Sequence, residues 1–222
     1  MKVCIDPGHG GSDPGAVGNG LRECDLTLNV ALKLRDILLS DDRFQVVMTR
    51  TSDVFVDLSE RARIANRENC DFFVSIHFNA FNGKAYGTEV LDYNGTGIGR
   101  VVGQTFVDIL EAEEGLYDRG VKATHSTFAV IRETKCPAII TESCFIDSAS
   151  DIQHFDTSEE REKLARYHYR AICAGFGMEP KQEATKPKIC YYVTGGFGEG
   201  SKASQEFETF MRSKGWYYDK KY

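Results

Sequence analysis

Two histidines and two glutamates within the first 142 residues have the types and placement of a hydrolytic metal centre. His9 stands in Asp6-Pro7-Gly8-His9-Gly10-Gly11-Ser12-Asp13-Pro14-Gly15, a glycine-rich loop directly after a short apolar run. His77 closes the run Phe72-Phe73-Val74-Ser75-Ile76, and Glu142 closes Ala138-Ile139-Ile140-Thr141. Glu23 precedes a helical stretch, so the loop of residues 10–22 has the length to fold it back toward His9. A catalytic zinc site takes three His, Glu or Asp ligands and keeps one position open. His9, Glu23 and His77 supply that set, and Glu142 has the place of a general base and acid toward an attacking water. HExxH is absent, which excludes the helix-borne zinc-protease pattern.

Each of these residues has a plainer reading when taken alone. A histidine after a strand is often a hydrogen-bonded structural group. Glu23 suits a helix N-terminus, where the dipole favours an acid. Glu142 would serve as the buried partner of an arginine. The metal reading rests on all four reaching one rim. Asp6 and Asp13 are expected to fix the loop or support a ligand. Asn79 and Arg132 are candidate donors to a tetrahedral oxyanion, and His125 lies in a loop that could reach substrate. His154 and His168, around the last long helix, are expected to be structural.

The elements that must position these groups alternate. Strands are expected over residues 2–7, 44–50, 72–77, 87–93, 128–132 and 138–142. Helices are expected from Asp25 to Leu39 with Asp25 as N-cap, from Asp57 or Leu58 to Glu68, from about Gly97 to Glu113, and from Ser158 to Phe176. Such alternation gives a largely parallel sheet covered on both faces. Ligands of such sheets sit beyond the carboxyl ends of the strands. His9, His77 and Glu142 each stand at that end of an apolar strand.

Composition bounds the rest. The 222 residues suffice for one sizeable core or one domain plus a small module. The formal charge of −6 argues against nucleic acid as the main partner. No apolar run has the length of a membrane span. Seven cysteines without CxxC spacing read as buried free thiols made in a reducing compartment. Met1-Lys2 leads straight into a strand, so no signal peptide is expected. On that reading, if its target lies outside the cell, something other than a cleaved leader must release it.

The blocks Asp-Pro-Gly-His9-Gly-Gly-Ser-Asp-Pro-Gly, Glu23-Cys-Asp-Leu-Thr-Leu-Asn, Val-Ser-Ile-His77-Phe-Asn79 and Pro-Ala-Ile-Ile-Thr-Glu142-Ser-Cys-Phe-Ile occur in this order within residues 1–177. Together they resemble the zinc-dependent N-acetylmuramoyl-L-alanine amidases of bacterial cell-wall lysis, of endolysin and autolysin type. The resemblance implies one α/β domain with a mixed, largely parallel six-stranded sheet flanked by helices. It implies zinc on His9, Glu23 and His77, catalysis by Glu142, and peptidoglycan as substrate, cut between N-acetylmuramic acid and L-alanine. The family's Glu-x-Gly-Phe reads Glu142-Ser143-Cys144-Phe145 here, a departure that bears on substrate fit more than on the acid itself. A zinc peptidase acting on stem peptides and a catalytically silent wall-binding protein are the competing readings.

The chain divides by charge. Residues 181–222 carry eight Lys/Arg against five Asp/Glu, whereas residues 1–180 carry 19 against 28. The division expected is a catalytic domain at 1–179, a linker at 180–187 with proline at both ends, and a βαβ module at 188–222. Residues 181–222 hold nine aromatics in 42 residues, and Tyr191 to Phe197 resembles half of a SPOR-type wall-binding repeat. Wall binding, or a homodimer formed by pairing open sheet edges, is the expected role.

Overall fold

A computed structural model describes residues 1–125 and 127–181. The expected linker from residue 182 onward, the βαβ module and the dimer edge lie outside the described residues.

The elements in chain order are β1 (Lys2–Pro7), β2 (Val17–Gly18), β3 (Leu21–Arg22), α1 (Glu23–Leu39), β4 (Gln45–Met48), α2 (Leu58–Arg67), β5 (Phe72–Asn79), β6 (Thr88–Asp92), α3 (Gly97–Glu114), β7 (Asp118–Ala123), α4 (Ala129–Glu133), β8 (Ala138–Phe145), α5 (Ala149–Ile152) and α6 (Ser158–Gly175). Six strands form one sheet in the order β4-β1-β5-β8-β6-β7. Strands β4, β1, β5 and β8 are mutually parallel. β6 runs antiparallel to β8 and parallel to β7. The sheet is therefore mixed and mostly parallel, with helices on both faces.

α1 shows why the sheet is covered. Its Leu26, Val30, Leu34 and Leu38 repeat every four residues, form one stripe and are buried. Each contributes about 1.5–3 kcal/mol by leaving water. The same core holds Val102, Phe106 and Leu110 of α3 and Leu164, Ala171 and Ile172 of α6. On the other face a smaller core joins Cys4, Phe73, Ile140 and Leu91 to Ala65 of α2 and Val130 and Ile131 of α4. Helix α6 begins with a capping box, Thr157 and Glu160 each bonding the other's backbone N–H.

Two expectations are corrected. Asp25 is not the cap of α1: the helix starts earlier, at Glu23 with Arg22 in the cap position, and Asp25 lies in its first turn paired with Arg22. Residues 128–132 are not a strand but enter the short helix α4; a run of four apolar residues and an arginine does not distinguish a strand from a buried helical turn. The sixth strand is instead β7, Asp-Arg-Gly-Val-Lys-Ala, whose charges and glycine conceal it as they commonly do on an edge strand. All six cysteines among the described residues are free, and five are buried.

Candidate metal centre

The parallel neighbours β1, β5 and β8 bring the expected residues to one rim. His77 and Glu142 are direct partners in the β5–β8 register, so their side chains share a face. His9 follows β1 in the left-handed region at φ 59°, a conformation uncommon for a residue with a Cβ. Glu23 opens α1 and is only 4% exposed.

Donor atoms of His9, Glu23 and His77 all lie within 4.8 Å of one another. Glu23 is the hinge of the trio. Its Oε2 lies 3.1 Å from His9 Nε2 and accepts the Ala16 N–H at 2.8 Å. Its Oε1 lies 2.9 Å from His77 Nδ1 and accepts the Phe78 N–H at 3.0 Å. Asp13 Oδ2 sits 2.8 Å from His9 Nδ1. That contact fixes the ring and leaves Nε2 facing the cluster, the usual support of a metal-ligating histidine. Gly15, at φ 65°, allows the close approach: a Cβ there would fall 2.6 Å from both Glu23 Oε2 and His9 Cδ2.

Two buried arginines hold the loop from beneath. Arg61 pairs with Asp6 at 2.8 Å and donates to the carbonyls of Pro7 and His9. Arg50 donates to the carbonyls of Pro7, Gly8 and Cys24. Asp6 is completed by the hydroxyls of Thr49 and Ser75.

The electrostatics follow from burial and charge. Burial opposes a charge on His9, yet the Glu23 and Asp13 carboxylates outweigh it and raise its pKa to about 9. His77 is raised by Glu23 in the same way, against its own burial. Burial would lift Glu23, but the two imidazoles hold it well below the usual carboxylate range. Three groups that share protons so closely form a donor set ready to exchange them for a divalent cation. Glu142 behaves oppositely. Burial pushes its pKa up to about 7, with Glu23 and Glu89 adding to the rise and His77 opposing it. Its Oε2 is buried and has no hydrogen-bond partner among the described residues. An orphaned carboxylate oxygen beside a metal-type cluster fits a group that handles a proton during reaction. The chemistry of the His, Glu, His set matches a catalytic zinc site.

The remaining expected residues divide. Asn79 stands at the end of β5, but its Nδ2 donates to Glu89 at 3.0 Å. Arg132, on α4, pairs with Glu133 and lines a pocket of about 540 Å³ with Asp92 and Lys135. His125 donates its backbone N–H to Tyr93 O, past the carboxyl end of β6, which is the opposite end of the sheet from Glu142. The contacts of Arg132 and His125 give the substrate role no support. His168 is structural, between Thr141 and Leu164. Cys144 is fully buried in the larger core, so the departure from Glu-x-Gly-Phe is taken up by packing. A second trio, Cys24, Asp25 and Asp53, also gathers within 4.8 Å, but Arg22 binds both of its carboxylates. Sequence reasoning missed Glu89, which lies opposite Glu142 in the β6–β8 register, because no motif marks it.

Residues 3–174 match the family described as N-acetylmuramoyl-L-alanine amidase. The chain is 40% identical over 192 residues to the sporulation-specific N-acetylmuramoyl-L-alanine amidase of Bacillus subtilis, covering 85% of this chain and 73% of that one. It is 35% identical over 192 residues to an endolysin of Bacillus phage SPP1, covering 84% and 70%. Among solved structures, an N-acetylmuramoyl-L-alanine amidase from Clostridium difficile superposes with a TM-score of 0.73 at 32% identity, covering 79% of this chain and 96% of that one.

Proposed function

Because the chain belongs to the N-acetylmuramoyl-L-alanine amidase family, we propose that His9, Glu23 and His77 hold a zinc ion and that Glu142 is its acid–base group. The enzyme hydrolyses the amide between N-acetylmuramic acid and L-alanine in peptidoglycan. The observation that carries the assignment of residues is the cluster of three donors with Glu142 in register beside His77.

Each residue then has a task. Asp13 fixes the His9 tautomer, and the Ala16 and Phe78 N–H groups fix both oxygens of Glu23. Zinc, when bound, polarises the scissile carbonyl and acidifies water. Glu142 takes the proton from the attacking water on its unpartnered oxygen and returns it to the leaving amine. A carboxyl raised to about 7 by burial serves both directions near neutral pH.

The finer division is also proposed. Residues 1–179 are the catalytic part, and 188–222 bind the wall or pair two copies. Light scattering on 1–222 against 1–180 tests the pairing; equal monomer masses would remove it. No helix among the described residues is long and apolar enough to cross a membrane.

The test of the whole reading is product analysis with metal content. Digests should gain L-alanine amino termini while stem peptides stay intact, and the purified protein should carry one zinc that is lost on His77→Ala. Cleavage inside stem peptides, or full activity after chelation, would overturn it.

A further inference from the structure

Glu142 belongs to a row of side chains that crosses four strands. His77 on β5 faces Glu142 on β8, and Glu142 faces Glu89 on β6. Glu89 in turn meets Arg119 and Lys122 on β7, both of which bond its Oε2. The bulge between Thr88 and Val90 lets Arg119 swing to this face. Charge therefore changes sign along the row, from the proton-handling acid to two cations at the sheet edge.

The pair is more than a counter-charge for Glu89. The Glu89 side chain is 10% exposed, whereas Arg119 is 31% and Lys122 45% exposed. The acid is buried and the cations are more exposed, so the trio itself carries one net positive charge. Lys122 carries three N–H donors and Arg119 five, so the Glu89 contacts do not exhaust them. Arg119 is also fixed in direction, its guanidinium lying 5.0 Å above the Phe145 ring. Beside it the exposed rings of Tyr86 and Tyr117 pack edge to face at 5.6 Å.

The other flank of the metal cluster has the opposite character. Asp13, Asp25 and Asp53 are each about half exposed there; His9 meets Asp13, and Arg22 meets both Asp25 and Asp53. An anionic substrate segment is repelled from that flank and drawn to the β7 edge.

We propose that Arg119 and Lys122, braced by Glu89, form a carboxylate-binding subsite for the stem peptide, reading an acidic group on the residue that follows L-alanine. The proposal rests on the amidase reading above and deepens it. Strands lie about 4.8 Å apart, which puts β7 about 10 Å from Glu142. Two extended residues span about 7 Å, and a side chain supplies the remainder. The neutral glycan then lies toward the His9 loop.

The experiment uses two synthetic N-acetylmuramoyl-L-alanyl peptides that differ only in a free carboxylate or a carboxamide on the residue after L-alanine. The wild type should favour the carboxylate about tenfold in kcat/KM, through KM. Lys122→Met and Arg119→Gln should bring that ratio toward one, Lys122→Glu should invert it, and Lys122→Arg should retain it. Lys122 is exposed, so its variants test the subsite even where Arg119→Gln folds poorly. Equal kcat/KM for both peptides in the wild type, or an unchanged ratio in Lys122→Glu, overturns the subsite and leaves the amidase reading standing. Failure to cleave either peptide overturns that reading and the subsite with it.

Discussion

Gly8 and the ring of His77 are so close that a Cβ on residue 8 would lie 2.2 Å from His77 Cε1 and 2.4 Å from Nε2. No real Cβ contact is that short, so any side chain at position 8 displaces the imidazole. Gly8→Ala should cost about 1–3 kcal/mol of stability through overpacking. Its larger effect should be a zinc affinity lowered about 10–100-fold, as for other displaced ligand supports. Competition with a fluorescent zinc chelator measures it; an unaltered affinity would mean that His77 is not a ligand.

Glu142→Gln keeps the shape of the side chain and removes its proton chemistry. Zinc content should stay at the wild-type level while the rate falls by about 10² or more. Turbidity clearance of cell walls beside metal analysis separates the two quantities. Wild-type clearance by the variant would assign the base elsewhere.

Asp6 is 1% exposed and Arg61 2%. Asp6→Ala leaves the Arg61 guanidinium buried without its carboxylate and strands two hydroxyls, so stability should fall by about 3–5 kcal/mol. Urea unfolding monitors the loss. Because Arg61 also bonds His9 O, zinc binding should weaken with it; a normal midpoint would show that the loop is held by other contacts.

His168 makes stability depend on pH. Burial lowers its pKa to about 4. Its Nδ1–H donates to Leu164 O, and its Nε2 accepts the Thr141 hydroxyl, contacts that suit the neutral ring. The unfolded chain, with a histidine pKa near 6.5, binds a proton that the folded chain refuses. This contribution is intact above about pH 6.5 and declines as pH falls toward 4, by about 3 kcal/mol at most. The difference in unfolding free energy between wild type and His168→Gln should therefore shrink across that window. A constant difference would show that the folded ring takes up its proton over the same pH range as the unfolded one.

The candidate site was legible in the sequence because its residues stand at strand ends, where a change from apolar to polar is visible. His77 and Glu142 each follow an unbroken apolar run, and Glu23 precedes a clear helical stripe. What supports them was not legible. Asp6 finds Arg61 across 55 positions, and Glu89 finds Arg119 across 30. Pairings at such separation are set by strand order, which periodicity does not reveal. β7 escaped for a related reason: an edge strand needs only one partner, and its charges and glycine mask the β pattern. Residues 128–132 misled in the opposite sense, since the four apolar residues Phe128 to Ile131 satisfy either period.

The reversed direction of β6 has a consequence for how such an enzyme can diversify. In an all-parallel sheet, chemistry and recognition compete for the same carboxyl-terminal strand ends. Here β1, β5 and β8 carry the reactive groups, while β6 and β7 offer their opposite ends to the same cleft. With the subsite proposed above on β7, substitutions there would retune which wall is accepted without touching His9, Glu23, His77 or Glu142. The fold thereby keeps a variable margin beside an inflexible centre.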